Sequence, residues 1–153
     1  MNNAPSSNIK IRNTCNSYII KASWNCFVSD NAIVCDYASA YDICEIKGHA
    51  IIRGNAAIWR NAIIQCDCTI CGDTVITVDG YIDKPNTYIT ITNCGESNMT
   101  FTFYKTNLGK IRVFSREFEG NFDYFKIYVK EINDKELKAL INYIEEILSL
   151  RKN

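Results

Sequence analysis

Residues 22–82, cut into sixes, read ASWNCF VSDNAI VCDYAS AYDICE IKGHAI IRGNAA IWRNAI IQCDCT ICGDTV ITVDGY I. The first place of each block is apolar: Ala22, Val28, Val34, Ala40, Ile46, Ile52, Ile58, Ile64, Ile70, Ile76 and Ile82. Two residues before each, from Val28 onward, comes a small side chain: Cys26, Ala32, Ala38, Cys44, Ala50, Ala56, Ala62, Cys68, Thr74 and Gly80. Residues two apart on a strand point the same way, so each pair faces one side. A period of six is too short for a helical pair or a propeller blade. It belongs to stacked β-solenoids, in which each rung buries its inner face against the next. The polar residues between the pairs suit corners: Asp30-Asn31, Asp36, Gly48-His49, Gly54-Asn55, Asn61 and Gly72-Asp73. Asn, Asp and Gly tolerate the left-handed backbone of a tight corner.

The blocks Asp30–Val34, Gly48–Ile52, Gly54–Ile58 and Arg60–Ile64 resemble hexapeptide repeats. The resemblance implies a left-handed parallel β-helix with three hexads, about 18 residues, per coil, and so three to four coils over Ala22–Ile82. It continues beyond the repeat. Glu96–Thr106, then Phe118-Glu119-Gly120 and Phe125, resemble the C-terminal part of short hexapeptide-repeat proteins of bacteria and their phages. The expected architecture is mainly β: an N-terminal tail and cap over 1–21, the β-helix over 22–84, and a small α+β extension with a β-hairpin and two helices over 85–153.

Outside the repeat the pattern changes. Met1–Ser7 reads as a loose tail, and Ile9–Ile20 as a cap or irregular first rung, with Trp24 beside it. Asp83-Lys84-Pro85-Asn86 ends the repeat, because proline cannot donate to a ladder. Thr87–Thr92 alternates as a strand. Met99–Lys105 and Ile111–Phe114 form a hairpin about the turn Asn107–Lys110, with Phe101 and Phe103 on one side. Asn121 reads as the cap of a helix bearing Phe122, Phe125, Val129 and Ile132. Asp134 caps a second, with Leu137, Leu140, Ile141, Ile144 and Leu148 as its apolar stripe.

Seventeen basic and seventeen acidic side chains cancel. By halves, residues 1–84 carry seven Lys+Arg against eight Asp+Glu, and residues 85–153 carry ten against nine. Neither half is a basic patch, which argues against broad nucleic-acid binding. The polar N-terminus lacks the apolar core of a signal peptide, and no apolar run reaches membrane-spanning length. The expectation is a cytoplasmic protein whose eight cysteines are free thiols by default. Cys26, Cys44 and Cys68 fill the inward slot as small hydrophobes.

Chemistry is sparse. His49 is the only histidine. Hexapeptide-repeat acyltransferases use a histidine as general base between subunits, which the resemblance extends to His49 with acetyl-CoA as cofactor. The plainer reading makes His49 a corner residue like Asn31, Asn55, Asn61 and Asp73; no inserted loop shapes a cofactor site. Cys66, Cys68 and Cys71 suggest a metal, but ligands must converge within about 2.3 Å of the ion, and this register scatters them. Cys35 and Cys71 lack an activating base for a reactive thiol. Asp30, Asp36 and Asp42 recur as corners rather than as a carboxylate pair. No phosphate-binding glycine loop occurs.

What remains is surface. Stacking at 18 residues puts Ile33 and Ile51 in an apolar strip beside Arg53, and Tyr41 with Trp59 on another face. Gathered apolar groups mark an interface. The resemblance implies a homo-oligomer, with a trimer favoured. The leading expectation is a non-catalytic binding protein without a cofactor. Its phage-type version is an inhibitor of a host defence component, binding a host protein or sequestering a small nucleotide, with Trp59 and Tyr41 stacking on a base. The alternatives are the acyltransferase and a self-assembling structural solenoid.

Overall fold

A computed structural model describes residues 21–22 and 26–150. The expected tail, the cap over Ile9–Ile20 and Trp24 lie outside the described residues. Eleven short strands make the first unit: β1 (Lys21–Ala22), β2 (Phe27–Val28), β3 (Ile33–Val34), β4 (Ser39–Ala40), β5 (Glu45–Lys47), β6 (Ile51–Ile52), β7 (Ala57–Ile58), β8 (Ile63–Gln65), β9 (Thr69–Ile70), β10 (Val75–Ile76) and β11 (Tyr81–Ile82). They form three parallel sheets, β1-β4-β7-β10, β2-β5-β8-β11 and β3-β6-β9. The result is a parallel β-solenoid of about three turns. Its register follows the sequence: Ile33 pairs with Ile51 and Ile51 with Thr69, Ser39 with Ala57, and Glu45 with Ile63.

The two periodic columns are the core. From Val28 to Ile82 every first-place residue of the sixes is buried, and so is every small partner from Cys26 to Gly80. Strands β2 to β11 bury only one side chain each. The stack is held by repetition, each rung covering the next. Corners turn where Asp30, Asp36, Asp42, Arg60 and Asp79 take positive φ, and where Gly48, Gly54 and Gly72 do so without strain. Corner side chains also bond upward. The Asp30 carboxylate accepts from Gly48 N, and Asn55 Nδ2 donates to Asp73, in each case to the residue 18 positions away.

The ladder has a direction. The N–H of one residue donates to the carbonyl 17 residues further on, as in Phe27 to Cys44, Ile33 to Ala50, Ile51 to Cys68 and Ile63 to Gly80. The last coil has no coil above it, and its upward N–H groups need other acceptors. The extension supplies part of the answer. β12 (Tyr88–Cys94), β13 (Met99–Lys105), β14 (Ile111–Phe114) and β15 (Glu119–Asn121) form an antiparallel sheet in that order. Val75 N donates to Thr102 Oγ1 at 3.1 Å, and the Thr74, Thr90 and Thr102 hydroxyls form a chain at 2.8 and 3.2 Å. Gly80 bridges to Thr106.

Alternation along β13 divides the interior into two cores. Tyr104 reaches into the solenoid core, while Phe101 and Phe103 face the helices α1 (Phe122–Ile132) and α2 (Lys135–Leu150). Phe101, Phe103, Phe122 and Phe125 meet edge to face with centroids 5.3 to 6.2 Å apart, and Leu137, Ile144 and Leu148 close the layer. Both helices therefore pack on their own subunit. Asn121 caps α1 by accepting from Tyr124 N, as its sequence implied. β15, three residues with a central glycine and no alternation, carries no sequence signal of a strand.

Asp134 ties the helices to the sheet. Its carboxylate accepts from Leu137 N at 3.0 Å, capping α2, and from Glu96 N at 2.9 Å in the β12–β13 loop. A Cβ on Gly95 would fall 2.8 Å from the same carboxylate, and the backbone there has φ +74°. These backbone donors hold the Asp134 carboxyl below its ordinary value. A lowered carboxyl stabilises the fold above the ordinary carboxyl range, and that stability is lost as pH falls through the folded value. Asp134→Asn keeps one good acceptor and loses the charge. It should lower stability by about 1–2 kcal/mol at pH 7. The gap to the natural protein should shrink below about pH 4. Urea denaturation at both pH values measures this.

Candidate functional site

The β3-β6-β9 sheet presents its outer face as two adjacent columns. Ile33 and Ile51 are half-buried and Thr69 is exposed; Arg53 and Cys71 are exposed in the column beside them. Arg53 has no ion-pair partner among the described residues. At the upper edge Tyr88 donates its hydroxyl to Thr69 O at 3.0 Å, and burial pushes its phenol above the ordinary range. The strip read from the sequence is thus a contiguous patch, apolar at its centre and cationic at its border. The backbone beneath it is pinned by ladder bonds of 2.8–2.9 Å at Ile33, Cys35, Ile51 and Arg53. Such a surface offers shape, one positive charge and the exposed thiol of Cys71.

The second expected surface is divided. Tyr41 and Trp59 do lie on consecutive coils, but Trp59 packs edge to face on Phe114 of the chain's own sheet at 5.8 Å, with Arg60 over its ring at 5.9 Å. Arg60 pairs with Glu119 at 2.5 Å, and Arg112 lies 3.8 Å from the same carboxylate. Among the described residues, Trp59 Nε1, Thr77 Oγ1, Tyr104 OH and Arg112 Nε are buried without hydrogen-bond partners. Burial pushes the Tyr104 phenol up to about 12, against the pull of Arg112. Trp59 is a seam residue that joins solenoid to sheet. Its contact with a residue 55 positions later in the chain has no local sequence signal.

His49 stands on a corner column. Its Nδ1 donates to Asp67 Oδ1 at 3.0 Å and its Nε2 accepts from Asn31 Nδ2 at 3.1 Å, each partner one coil away. The side chain is 67% exposed. A histidine base needs its second nitrogen facing a substrate proton, with a carboxylate orienting the first. Asp67 supplies the orientation, while Asn31 occupies the nitrogen that would work. The adjoining hollow of about 400 Å³ is lined by Gly48, Asp67, Asp83 and Lys84 among others, His49 not included.

The cysteines correct one expectation. Cys66 and Cys68 are joined as a disulfide, with Cα atoms 5.2 Å apart, rather than free thiols. The corner turns Cys66 inward beside Cys68 instead of scattering the two, and both are buried. Cys71 is exposed, apart from the pair. Among the described residues no group of three or more His, Cys, Asp or Glu side chains could hold a metal ion. Asp30, Asp36 and Asp42 are corner residues, each with φ near +58°. Among the described residues, no helix is long and apolar enough to cross a membrane.

Comparison of the chain with protein-family models, with curated proteins and with solved structures gives no match in any of the three.

Proposed function

We propose that this chain is a non-catalytic binding protein that offers the β3-β6-β9 face of a rigid solenoid to a protein partner, a further copy of itself in the simplest case. The observation that carries the reading is the paired Ile33–Ile51 strip bordered by Arg53, which has no ion-pair partner among the described residues. Apolar centres with a charged rim suit a protein interface, and arginine is enriched there. The resemblance to hexapeptide-repeat proteins favours a trimer built through such faces. Its phage-borne version makes the partner a host defence component held by occlusion. The nucleotide version has less support, since Trp59, its stacking platform, is engaged by Phe114.

The acyltransferase reading keeps one observation in its favour, the Asp67–His49 contact. Native mass spectrometry of the protein purified from cells separates the readings. The expected spectrum is an oligomer, or a complex with retained protein, that Ile51→Asp reduces to a folded monomer. A bare monomer in the natural protein would sink the proposal. A retained coenzyme-sized mass, with a transferase activity abolished by His49→Ala, would replace it with the enzyme.

A further inference from the structure

Cys26 and Cys44 occupy one inward column of the solenoid, 18 residues apart, with Ala62 and Gly80 above them. Their sulfurs are 2.8 Å apart, and both side chains are buried at 3% and 0% exposure. We propose that these two thiols are a redox couple, which a small peroxide converts to a disulfide that staples the first described coil to the next.

The geometry is favourable at each step. A disulfide needs sulfurs about 2.05 Å apart, so closure requires less than about 1 Å of movement. Adjacent parallel strands lie about 4.8 Å apart, within the Cα range that a disulfide spans. The Phe27 N–H bonded to Cys44 O at 2.9 Å fixes that adjacency. Volume does not explain the pair. The same inward slot is filled by alanine at Ala32, Ala38, Ala50, Ala56 and Ala62.

The two thiols are also unequal. The hydrogen bond shared with Cys44 holds the Cys26 thiol below its ordinary value, while the same bond and burial push Cys44 up. Cys26, the more exposed of the two, is the attacking sulfur and the fully buried Cys44 the resolving one. Cys26 thiolate attacks one oxygen of hydrogen peroxide; an S–O bond forms, the O–O bond breaks, and the departing hydroxide takes the thiol proton as water. Cys44 sulfur then attacks the sulfenic sulfur; the S–S bond forms, the S–O bond breaks, and the Cys44 proton leaves with the second hydroxide as water. Two electrons pass from the sulfurs to the peroxide. Hydrogen peroxide is small enough to enter as the first described coil opens locally.

The full chain, reduced and freed of reductant, is exposed to hydrogen peroxide at pH 7 and its remaining thiols are alkylated in denaturant. Chymotrypsin, cutting after Phe27 and Tyr41, then separates the two cysteines. The expected product is a Cys26–Cys44 linked peptide about 2 Da lighter than the sum of its parts, absent after reduction. The thermal midpoint should rise by roughly 5 °C and fall back with reductant. In Cys44→Ala, which places the column's usual residue, Cys26 should appear as sulfinic or sulfonic acid with no link. Recovery of both cysteines alkylated in the natural protein, under conditions that oxidise the exposed Cys71, would overturn the proposal.

Discussion

Ile52→Asp should abolish cooperative folding, while Ile51→Asp, one residue earlier, should leave it intact. Ile52 is fully buried in the inward column at the centre of the stack, between Val34 and Ile70. A carboxylate there has no partner, and burying it costs several kcal/mol or forces it to protonate. The substitution also removes an isoleucine from a packed column, worth about 2–5 kcal/mol by itself. Together these approach the whole stability of a small domain, about 5–15 kcal/mol. Ile51 faces outward and is half exposed. Asp at that position should change stability by about 1 kcal/mol or less. Thermal unfolding followed by far-ultraviolet circular dichroism distinguishes them. Equal outcomes at the two positions would mean that the inward register is wrong.

Gly80→Ala should be the next most damaging exchange, although it adds one carbon. A Cβ at this position would lie 2.4 Å from Ile76 Cγ2, 3.0 Å from Thr77 O and 3.2 Å from Tyr104 Cε2. Ile76 and Tyr104 are themselves fully buried, so neither can swing away. Overpacking of this kind costs about 1–3 kcal/mol. Ala62→Gly, one coil below in the same column, should cost less, because it opens space without a clash. Urea unfolding measures both. A double-mutant cycle of Gly80→Ala with Ile76→Ala should show favourable coupling, since the shortened neighbour vacates the contested space. Additive effects would place the cost elsewhere.

Gly80 also shows what a repeat can and cannot announce. Its slot belongs to the period, so burial at Gly80 was legible from the hexads. That Tyr104 also crowds the slot from the sheet was not, for the two are far apart in sequence and share no pattern. The solenoid was readable because each rung repeats one local rule, and the helices because Phe122–Ile132 and Leu137–Leu148 carry their own amphipathic spacing. Contacts between the units are different. Trp59 against Phe114, Arg60 against Glu119 and Val75 N on Thr102 each join single residues across long separations. Tyr41 and Trp59 consequently looked like one open aromatic surface, whereas the extension covers half of it. The stacking of Ile33 on Ile51 was legible because both follow the 18-residue register. The disulfide at Cys66 was missed because corner residues are the least constrained by the period.

A ladder whose strand amides find their acceptors 17 residues on makes the height of this solenoid a counted quantity. A single inserted residue within a coil would turn every following inward side chain outward until the next corner absorbed it. Duplicating or deleting about 18 residues changes the number of storeys and leaves the terminal sheet seated on an equivalent top floor. The width of the Ile33–Ile51 face is set by one rung, but its length is set by how many are stacked. Such a chain can therefore match a longer or shorter partner by whole-coil steps, without redesigning either its foundation or its roof.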